Sequence, residues 1–218
     1  MQSVFRILIC VLLVAIGAGC ATTPMDYTAF QKHHPSSILV LPPKNQSVAV
    51  EAPYSYLSAV TKPLAEIGYY VFPVAVVDQF MKENGLPTPD EMHGVSLSKL
   101  DEILGADSVM YITINNYGTK YQVTASVSVV TAEAQLVDVK TGTQLWEGSV
   151  TVKESTGNSN NSLLVAIVSA AINQVVNTSR DRAAELCPKA NWDMFWSKKR
   201  GLLYGPRHAL HGKEEIPQ

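Results

Sequence analysis

Apolar residues between Ser37 and Ile114 follow two kinds of spacing, which predict alternating strands and helices. Uninterrupted apolar runs are typical of buried strands, and three occur, at 37–41, 69–73 and 109–114. Gaps of three and four residues are typical of one helix face, and they occur at 54–67, 76–84 and 97–104. Right-handed crossovers through these helices predict that the three strands are parallel neighbours in one sheet.

Local signals refine the predicted helices. Pro63 lies inside the first helix and predicts a kink near Ala59, because proline removes one backbone hydrogen bond and crowds the preceding turn. Ser96 is predicted to cap the helix over 97–104 with its side chain. The segment 86–94, which is rich in proline and polar residues, is expected to be a loop.

The second half of the chain has a period-two pattern that changes parity. Apolar residues occupy odd positions over 123–129 and even positions over 132–136. One strand face cannot change parity without an extra residue, so a bulge or bend is predicted at Val129 or Val130. Residues 140–142, Lys-Thr-Gly, predict a hairpin turn, after which 144–153 returns antiparallel.

Residues 162–185 predict a long helix whose first half, 163–176, is apolar nearly all round. Such a helix must bury more than one side, yet at about 14 residues the apolar half is too short to span a bilayer. Cys187-Pro188 is expected to end the helix. The uncovered side predicts a homodimer interface, unless residues 191–204 fold back over the helix and complete a monomeric core.

The amino terminus predicts a lipoprotein signal peptide over residues 1–19. Arg6 precedes an uncharged run of about 13 residues, too short to span a bilayer, which ends in small residues before Cys20. This arrangement resembles a lipobox, whose cysteine carries diacylglycerol, although Gly17 stands where leucine is commonest. The alternative is an ordinary secretory signal with a chance cysteine. Residues 20–36 lack periodicity and are predicted to form a tether.

Lipid on Cys20 predicts the membrane as a partner, since two or more acyl chains give stable anchoring. Ala21 follows the cysteine, where lipoproteins retained in the inner membrane usually carry aspartate. Knowledge of lipoproteins as a class therefore predicts the outer membrane.

Composition allows one globular domain over 37–187, with an aromatic and basic tail over 188–218 packed on it. The chain is 46% apolar and 17% charged, and its net charge of -2 predicts no nucleic-acid partner. Cys187 is left over once Cys10 departs with the signal and Cys20 carries lipid. Its thiol is expected to be buried, with pairing between chains as the alternative.

No strong catalytic, metal or cofactor motif is present, and no residue is predicted in these roles. His208 and His211 are three apart, but nothing near them completes a metal site, and they are interpreted as solvated tail residues. His33-His34 is interpreted as a feature of the tether. Asp107 and Asp138 are interpreted as turn residues, with a catalytic acid as the alternative for Asp107. One cluster of rings and cations is predicted to pack on the core, with a membrane interface as the alternative: Trp192, Phe195, Trp196, Lys198, Lys199 and Arg200.

Three stretches, LGADSVMYITI, AEAQLVDVKTGTQLWEG and GLLYGPRH, resemble a family of uncharacterised proteobacterial lipoproteins that includes meningococcal lipoprotein antigen candidates. The resemblance covers nearly the whole mature chain. The first two stretches are more loosely similar to the amino-terminal domain of TolB and to CsgG-type curli-secretion lipoproteins. The resemblance implies an α/β fold with helices packed on a mixed sheet, and accessory roles beside CsgG-like proteins or transport systems. It carries over no catalytic or ligand residue.

We therefore expect a non-enzymatic, lipid-anchored lipoprotein that scaffolds or assists an outer-membrane secretion, assembly or transport complex. The alternative is a periplasmic ligand-binding module or hydrolase whose site is made from loops. A pocket of convergent polar groups with shifted pKa values would favour the alternative, whereas an apolar surface without such a pocket would favour the accessory role.

Overall fold

The fold is a six-stranded mixed sheet with helices on both faces, seen in a computed structural model that describes residues 25–121, 126–156 and 182–213. The described helices are α1 (Thr28–His33), α2 (Ala52–Glu66), α3 (Val74–Glu83), α4 (Pro89–His93), α5 (Leu97–Leu104) and α6 (Arg182–Phe195). The strands are β1 (Ser37–Val40), β2 (Lys44–Asn45), β3 (Tyr70–Val71), β4 (Ser108–Tyr121), β5 (Ser126–Asp138) and β6 (Gln144–Thr156). The predicted α/β class with a mixed sheet is confirmed.

The sheet has a parallel half and an antiparallel half, in the order β3-β1-β4-β5-β6. β1 pairs in parallel with β3 and with β4, as predicted. β2 pairs with β4 farther along the same edge, beyond Pro42-Pro43, which have no backbone N–H to donate to the ladder. β4, β5 and β6 are consecutive antiparallel strands, and the predicted hairpin turn is confirmed, with Gly142 at a φ of 71°.

Two apolar layers enclose the sheet because alternate residues of β1 point to opposite faces. Ile38 and Val40 join α1, α2 and α6 on one face, whereas Leu39 and Leu41 join α3, α4 and α5 on the other. All four side chains are fully buried. The domain is therefore a three-layer structure with the sheet in the middle.

Three local predictions on the helices meet different outcomes. α2 continues through Pro63 to Glu66, and the kink near Ala59 stays a prediction. The expected loop over 86–94 is wrong, because Thr88 and Glu91 form a reciprocal capping box that starts α4. The expected side-chain cap from Ser96 is also wrong, since its hydroxyl lies 3.4 Å from the Ser98 hydroxyl and accepts no backbone N–H of the helix.

The tether prediction for 20–36 is wrong over its second half. α1 lies there, and Tyr27 and Phe30 are each only 4% exposed in the main core. The Tyr27 hydroxyl donates to the backbone oxygen of Gly201 at 2.6 Å. Burial raises the pKa of Tyr27 to about 12, so the donated proton stays in place. Two buried rings thus fix the start of the domain to its carboxyl-terminal segment.

A bulge at Val129 or Val130 is wrong, because β5 keeps one register with β6 from Ser126 to Leu136, and the alternative, a bend there, stays a prediction. Its even positions are buried along the whole strand, including Ser126 and Ser128. The apolar pattern changes parity in the sequence because Ser126 and Ser128 occupy buried even positions where apolar residues are expected. The extra residue lies in the neighbouring strand β4, at Asn115, across from Thr131.

The helix end predicted at Cys187-Pro188 is wrong, since α6 runs through Pro188 to Phe195. An internal proline costs about 3 kcal/mol. Burial of apolar side chains such as Leu186, Met194 and Phe195, each about 1.5–3 kcal/mol, outweighs that cost. Cys187 is 0% exposed, which confirms its predicted burial. The apolar segment 163–176 lies outside the described residues.

Candidate functional site

The candidate site is a cleft at the carboxyl end of β1, where the strand order of the sheet reverses. The chain leaves β1 for β3 through α2 on one face, then passes from β3 to β4 through α3, α4 and α5 on the other. In open α/β sheets, ligands bind at such a switch point. The cleft has a volume of about 280 Å³ and is lined by Pro42, Lys44, Asn45, Val50, Pro53, Tyr54, Leu57, Asp78, Lys82, Pro87, Pro89 and Asp90.

Two lysine–aspartate pairs line the cleft, one between β2 and α4 and one within α3. Lys44 Nζ lies 3.0 Å from Asp90 Oδ1, which joins β2 to α4. Lys82 Nζ donates to Asp78 Oδ2 at 2.6 Å and to the Tyr54 hydroxyl at 3.3 Å. The bond to Asp78, followed by that to Tyr54, raises the pKa of Lys82. Each lysine of the cleft is therefore paired with an aspartate, so the polar lining carries little net charge.

His93 contacts the backbone of Pro42, which lines the cleft. Its Nε2 lies 2.9 Å from the Pro42 backbone oxygen, at the break between β1 and β2, and its ring meets Tyr111 edge-on at 5.2 Å. Burial lowers the pKa of His93, and the nearby Lys44 acts in the same direction. His93 thus links α4 to the strand end as a structural contact.

Exposed apolar side chains lie in the first turn of α2 and on the loop that connects β2 to it. Val48 is 99% exposed, Val50 82% and Tyr54 57%. Asn45 holds the loop: its Oδ1 accepts from the Ser47 amide at 2.9 Å and its Nδ2 donates to the Ala49 oxygen at 2.7 Å. We call Val48, Val50 and Tyr54 the cleft rim.

A larger recess of about 610 Å³ lies between α3, α4 and α5. Its lining is mainly apolar, with Phe80, Leu86 and Ile103 among its residues, and Ile103 is 59% exposed. We prefer the smaller cleft as the candidate site, because it lies at the switch point and combines charge pairs with an apolar rim.

Asp107 is a structural turn residue, as interpreted from the sequence. Its Oδ2 accepts the amides of Ser36 and Ser37 at 3.1 and 3.0 Å and their hydroxyls at 2.6 and 2.9 Å. Burial raises the pKa of Asp107, but the bonds from Ser36 and Ser37 outweigh it and hold the pKa below its ordinary value. The carboxylate fastens the start of β4 to the start of β1.

Asp138 accepts hydrogen bonds within the turn that follows it. It also contacts His33, which the sequence assigned to the tether. Its Oδ1 accepts from the Thr141 amide at 2.8 Å and hydroxyl at 2.7 Å. His33 Nδ1 lies 3.2 Å from Asp138 Oδ2, so His33 fixes α1 to the hairpin. Burial raises the pKa of Asp138, but the bonds from Thr141 and the contact with His33 lower it overall.

The carboxyl-terminal histidines pack or bond locally. The His208 ring stacks on Tyr204 at 3.9 Å, and His211 Nδ1 lies 2.6 Å from the Tyr204 oxygen. His208 is half-buried, which corrects the expectation of a solvated residue, whereas His211 is exposed. In the described part of the chain, no group of three or more His, Cys, Asp or Glu is placed to hold a metal ion.

The aromatic and basic cluster packs on the core, as the favoured interpretation expected. Phe195 is fully buried, and the half-buried Trp196 donates from Nε1 to the Pro63 oxygen at 3.2 Å. Lys198 and Lys199 remain exposed. Phe195 and Trp196 therefore pack against the core, whereas Lys198 and Lys199 lie on the surface.

Comparison with known proteins places this architecture in a family. The sequence profile of the family described as "Putative lipoprotein GNA1162-like" matches residues 25–207. The chain belongs to this family. "Putative lipoprotein NMB1124/NMB1162" of Neisseria meningitidis serogroup B is 44% identical over 183 residues, covering 84% of this chain and 85% of its own length.

Solved structures agree with this assignment. The crystal structure of lipoprotein GNA1162 from Neisseria meningitidis is 47% identical, with a TM-score of 0.54 over 66% of this chain and 99% of that chain. A PelC dodecamer from Paraburkholderia phytofirmans is similar at 16% identity and a TM-score of 0.40, over 78% of this chain and 91% of that chain. The second likeness is too remote to bear on function.

As a member of the GNA1162-like lipoprotein family, the chain is an envelope-associated protein held by lipid. Cys20, the predicted attachment point, precedes both the matched residues and the described ones. No helix within the described ranges is long and apolar enough to cross a membrane.

Sequence reasoning about this GNA1162-like chain missed the cleft residues. Lys44, Asp78, Lys82 and Asp90 come from β2, α3 and α4, and no local motif connects them. The available signal was the run SVAV between the first strand and the first long helix, which places two valines in a polar turn. Exposed valines in a short loop are a sign of an interaction surface.

Proposed function

We propose that this lipoprotein is a non-enzymatic accessory subunit of an outer-membrane secretion, assembly or transport complex. Lipid on Cys20 anchors it, and the cleft rim receives a protein partner. The observation that carries the proposal is the exposure of Val50 and Tyr54, which line the switch-point cleft, and of Val48 on the adjoining loop. Clustered apolar side chains with a polar surround are typical of protein–protein contacts.

The rim is suited to protein docking because its loop is already ordered. Asn45 accepts and donates hydrogen bonds within the loop, so little conformational entropy is lost when a partner covers the valines. The Lys44–Asp90 and Lys82–Asp78 pairs beside the rim offer both signs of charge at its edge. A partner with an apolar centre and a mixed polar border fits this surface.

The alternative, a ligand-binding module or hydrolase, has weaker support. The cleft volume of about 280 Å³ falls just below the 300–1,000 Å³ of usual ligand pockets, whereas the recess of about 610 Å³ between α3, α4 and α5 falls within that range. Both lysines already lie against carboxylates, so an anionic ligand must displace an aspartate. Asp107 and Asp138, whose pKa values are lowered, are engaged by local hydrogen bonds. These features favour structural roles for the charged groups.

Cys20→Ser is expected to abolish lipid labelling and to release the protein from the membrane pellet, because no thiol remains to carry diacylglycerol. The measurement is incorporation of a palmitate analogue in cells, followed by membrane fractionation. Cys187→Ala is the matched control, since Cys187 is fully buried, and it should retain both label and membrane association. Unchanged labelling in Cys20→Ser would show that the anchor lies elsewhere.

A photoreactive amino acid at Val48 is expected to form adducts with another envelope protein in living cells, because that side chain is 99% exposed on the rim. The same group at Leu210, 48% exposed in the carboxyl-terminal segment, is the control and should not form those adducts. Val48→Asp with Val50→Asp should remove the partner from pull-downs, whereas Val76→Asp on α3 should not.

Two outcomes would contradict the docking proposal. Adducts of equal yield from Val48 and Leu210 would show that the rim has no preference for a partner. Adducts of Val48 with this protein alone would indicate a homodimer in place of an accessory contact.

A further inference from the structure

Positive charge is concentrated in one segment, Trp196–Lys213, which we call the basic segment. It holds five of the seventeen lysines and arginines of the chain and none of its nineteen acids, so the remaining residues carry a net charge of -7 against -2 for the whole. Lys198, Lys199, Arg207 and Lys213 are exposed. Arg200 is half-buried and pairs with Glu147 at 3.8 Å.

The basic segment lies at the opposite end of α2 from the cleft. Tyr54, in the first turn of α2, lines the cleft. At the other end, Trp196 donates to the Pro63 oxygen and the Gly205 amide donates to the Ile67 oxygen at 2.9 Å. Tyr54 and Ile67 are 13 residues apart, which separates the two surfaces by about 20 Å along the helix axis.

The start of the domain is fixed against the same segment. The Tyr27 hydroxyl donates to the Gly201 oxygen at 2.6 Å, next to Arg200. Cys20 precedes Tyr27 by seven residues, and an extended chain spans at most about 3.6 Å per residue, so the cysteine lies within about 25 Å of Tyr27. The chain that follows Cys20 therefore enters the domain at the end that carries the basic segment.

We infer that the basic segment lies on the membrane and binds anionic phospholipid headgroups, so that the cleft rim faces away from the bilayer. This inference rests on the proposed lipid anchor at Cys20. A recess of about 320 Å³ beside Lys198 supports it, because the half-buried rings of Trp196 and Tyr204 line it. Cations next to such rings suit the boundary between headgroups and acyl chains.

Acids beside the basic segment cancel only part of its positive charge, counting Glu214 and Glu215, which follow Lys213 in the sequence. Glu147 faces Arg200, the half-buried member of the segment, and leaves Lys198 and Lys199 exposed. Asp26, which precedes Tyr27, accepts from the Thr28 amide and hydroxyl at 2.9 and 2.6 Å. Lys198, Lys199 and Arg207 thus remain exposed for contact with lipid phosphates.

The test is lysine acylation of the full lipidated protein in vesicles, followed by mass spectrometry. One set of vesicles contains phosphatidylethanolamine and anionic phosphatidylglycerol. In the other set, zwitterionic phosphatidylcholine replaces the phosphatidylglycerol. Each cation near an anionic surface contributes about fivefold in affinity, so the acylation of Lys198 and Lys199 should fall about fivefold or more in the anionic vesicles. Lys99 and Lys140, which are exposed on α5 and in the hairpin turn, should react equally in both.

A variant that removes two of the positive charges tests whether they hold the basic segment on the membrane. Lys198→Gln with Lys199→Gln should restore acylation of Lys213 in anionic vesicles to its zwitterionic level, whereas Lys99→Gln with Lys140→Gln should not. Equal acylation of Lys198 and Lys199 in both vesicles, with lipid found on Cys20 by intact mass, would overturn the inference and leave the anchor standing. Absence of lipid from Cys20 would overturn the anchor itself.

Discussion

Trp146→Ala is expected to lower the free energy of unfolding by about 3–5 kcal/mol, the usual cost of deleting a fully buried tryptophan. Trp146 is 0% exposed, and its Nε1 donates to the Arg200 oxygen at 2.7 Å. Its ring lies 5.8 Å from the Phe195 ring and covers Gly148, where an added Cβ would come within 2.4 Å of it. Alanine would leave a cavity between β6 and α6 and an unpaired carbonyl oxygen.

Denaturant unfolding followed by circular dichroism measures this loss. Trp146→Phe, which keeps an aromatic ring but loses the N–H donor, should lose less stability than the alanine variant. Val48→Ala is the control, because a side chain 99% exposed should change stability by no more than about 0.5 kcal/mol. A loss below about 1 kcal/mol in Trp146→Ala would show that the contact between β6 and α6 contributes little to the fold.

The parallel half of the fold was predictable because its strands are buried on both faces. Ile38, Leu39, Val40 and Leu41 serve two different cores, and a strand of this kind must read as an unbroken apolar run. The helices between the strands each cover one face, so their apolar residues recur every three or four positions. Spacing alone therefore identified this half of the sheet.

The errors arose where tertiary contacts override local pattern. Ser128 lies on the buried face of β5 because its hydroxyl pairs with the Thr119 hydroxyl at 2.8 Å, so a polar residue there did not mean an outward one. Pro188 is tolerated because neighbouring apolar residues of α6 are buried. Tyr27 and Phe30 are too few to create a period, yet they fix α1 to the core.

The cleft could not be assembled from the sequence for a different reason. Its residues come from the end of β1 and from α2, α3 and α4, which meet only when β1 lies between β3 and β4. The sequence left the strand order open, and the switch point follows from that order. The exposed valines could be seen, but their position beside two charge pairs required the fold.

Gly68→Ala is expected to lower the free energy of unfolding by about 3 kcal/mol. Gly68 has a φ of 106°, where a side chain costs about 1–3 kcal/mol. An added Cβ would also lie 2.6 Å from the His208 amide nitrogen and 2.9 Å from the Gly205 oxygen. The Arg207 amide donates to the Gly68 oxygen at 3.1 Å, so the variant must push the basic segment away from α2 and strain this bond.

Gly85→Ala is the matched control, because Gly85 has a φ of 82° but nothing within 4 Å of an added Cβ. It should cost only about 1–2 kcal/mol, the strain of a left-handed backbone. Denaturant unfolding gives both losses, and hydrogen exchange at the Arg207 amide should accelerate in Gly68→Ala but not in Gly85→Ala. Equal losses, with no change in exchange, would mean that the backbones of Gly68 and the basic segment do not need their close approach. A larger loss in Gly68→Ala would show that this approach holds the basic segment at the end of α2, opposite the cleft.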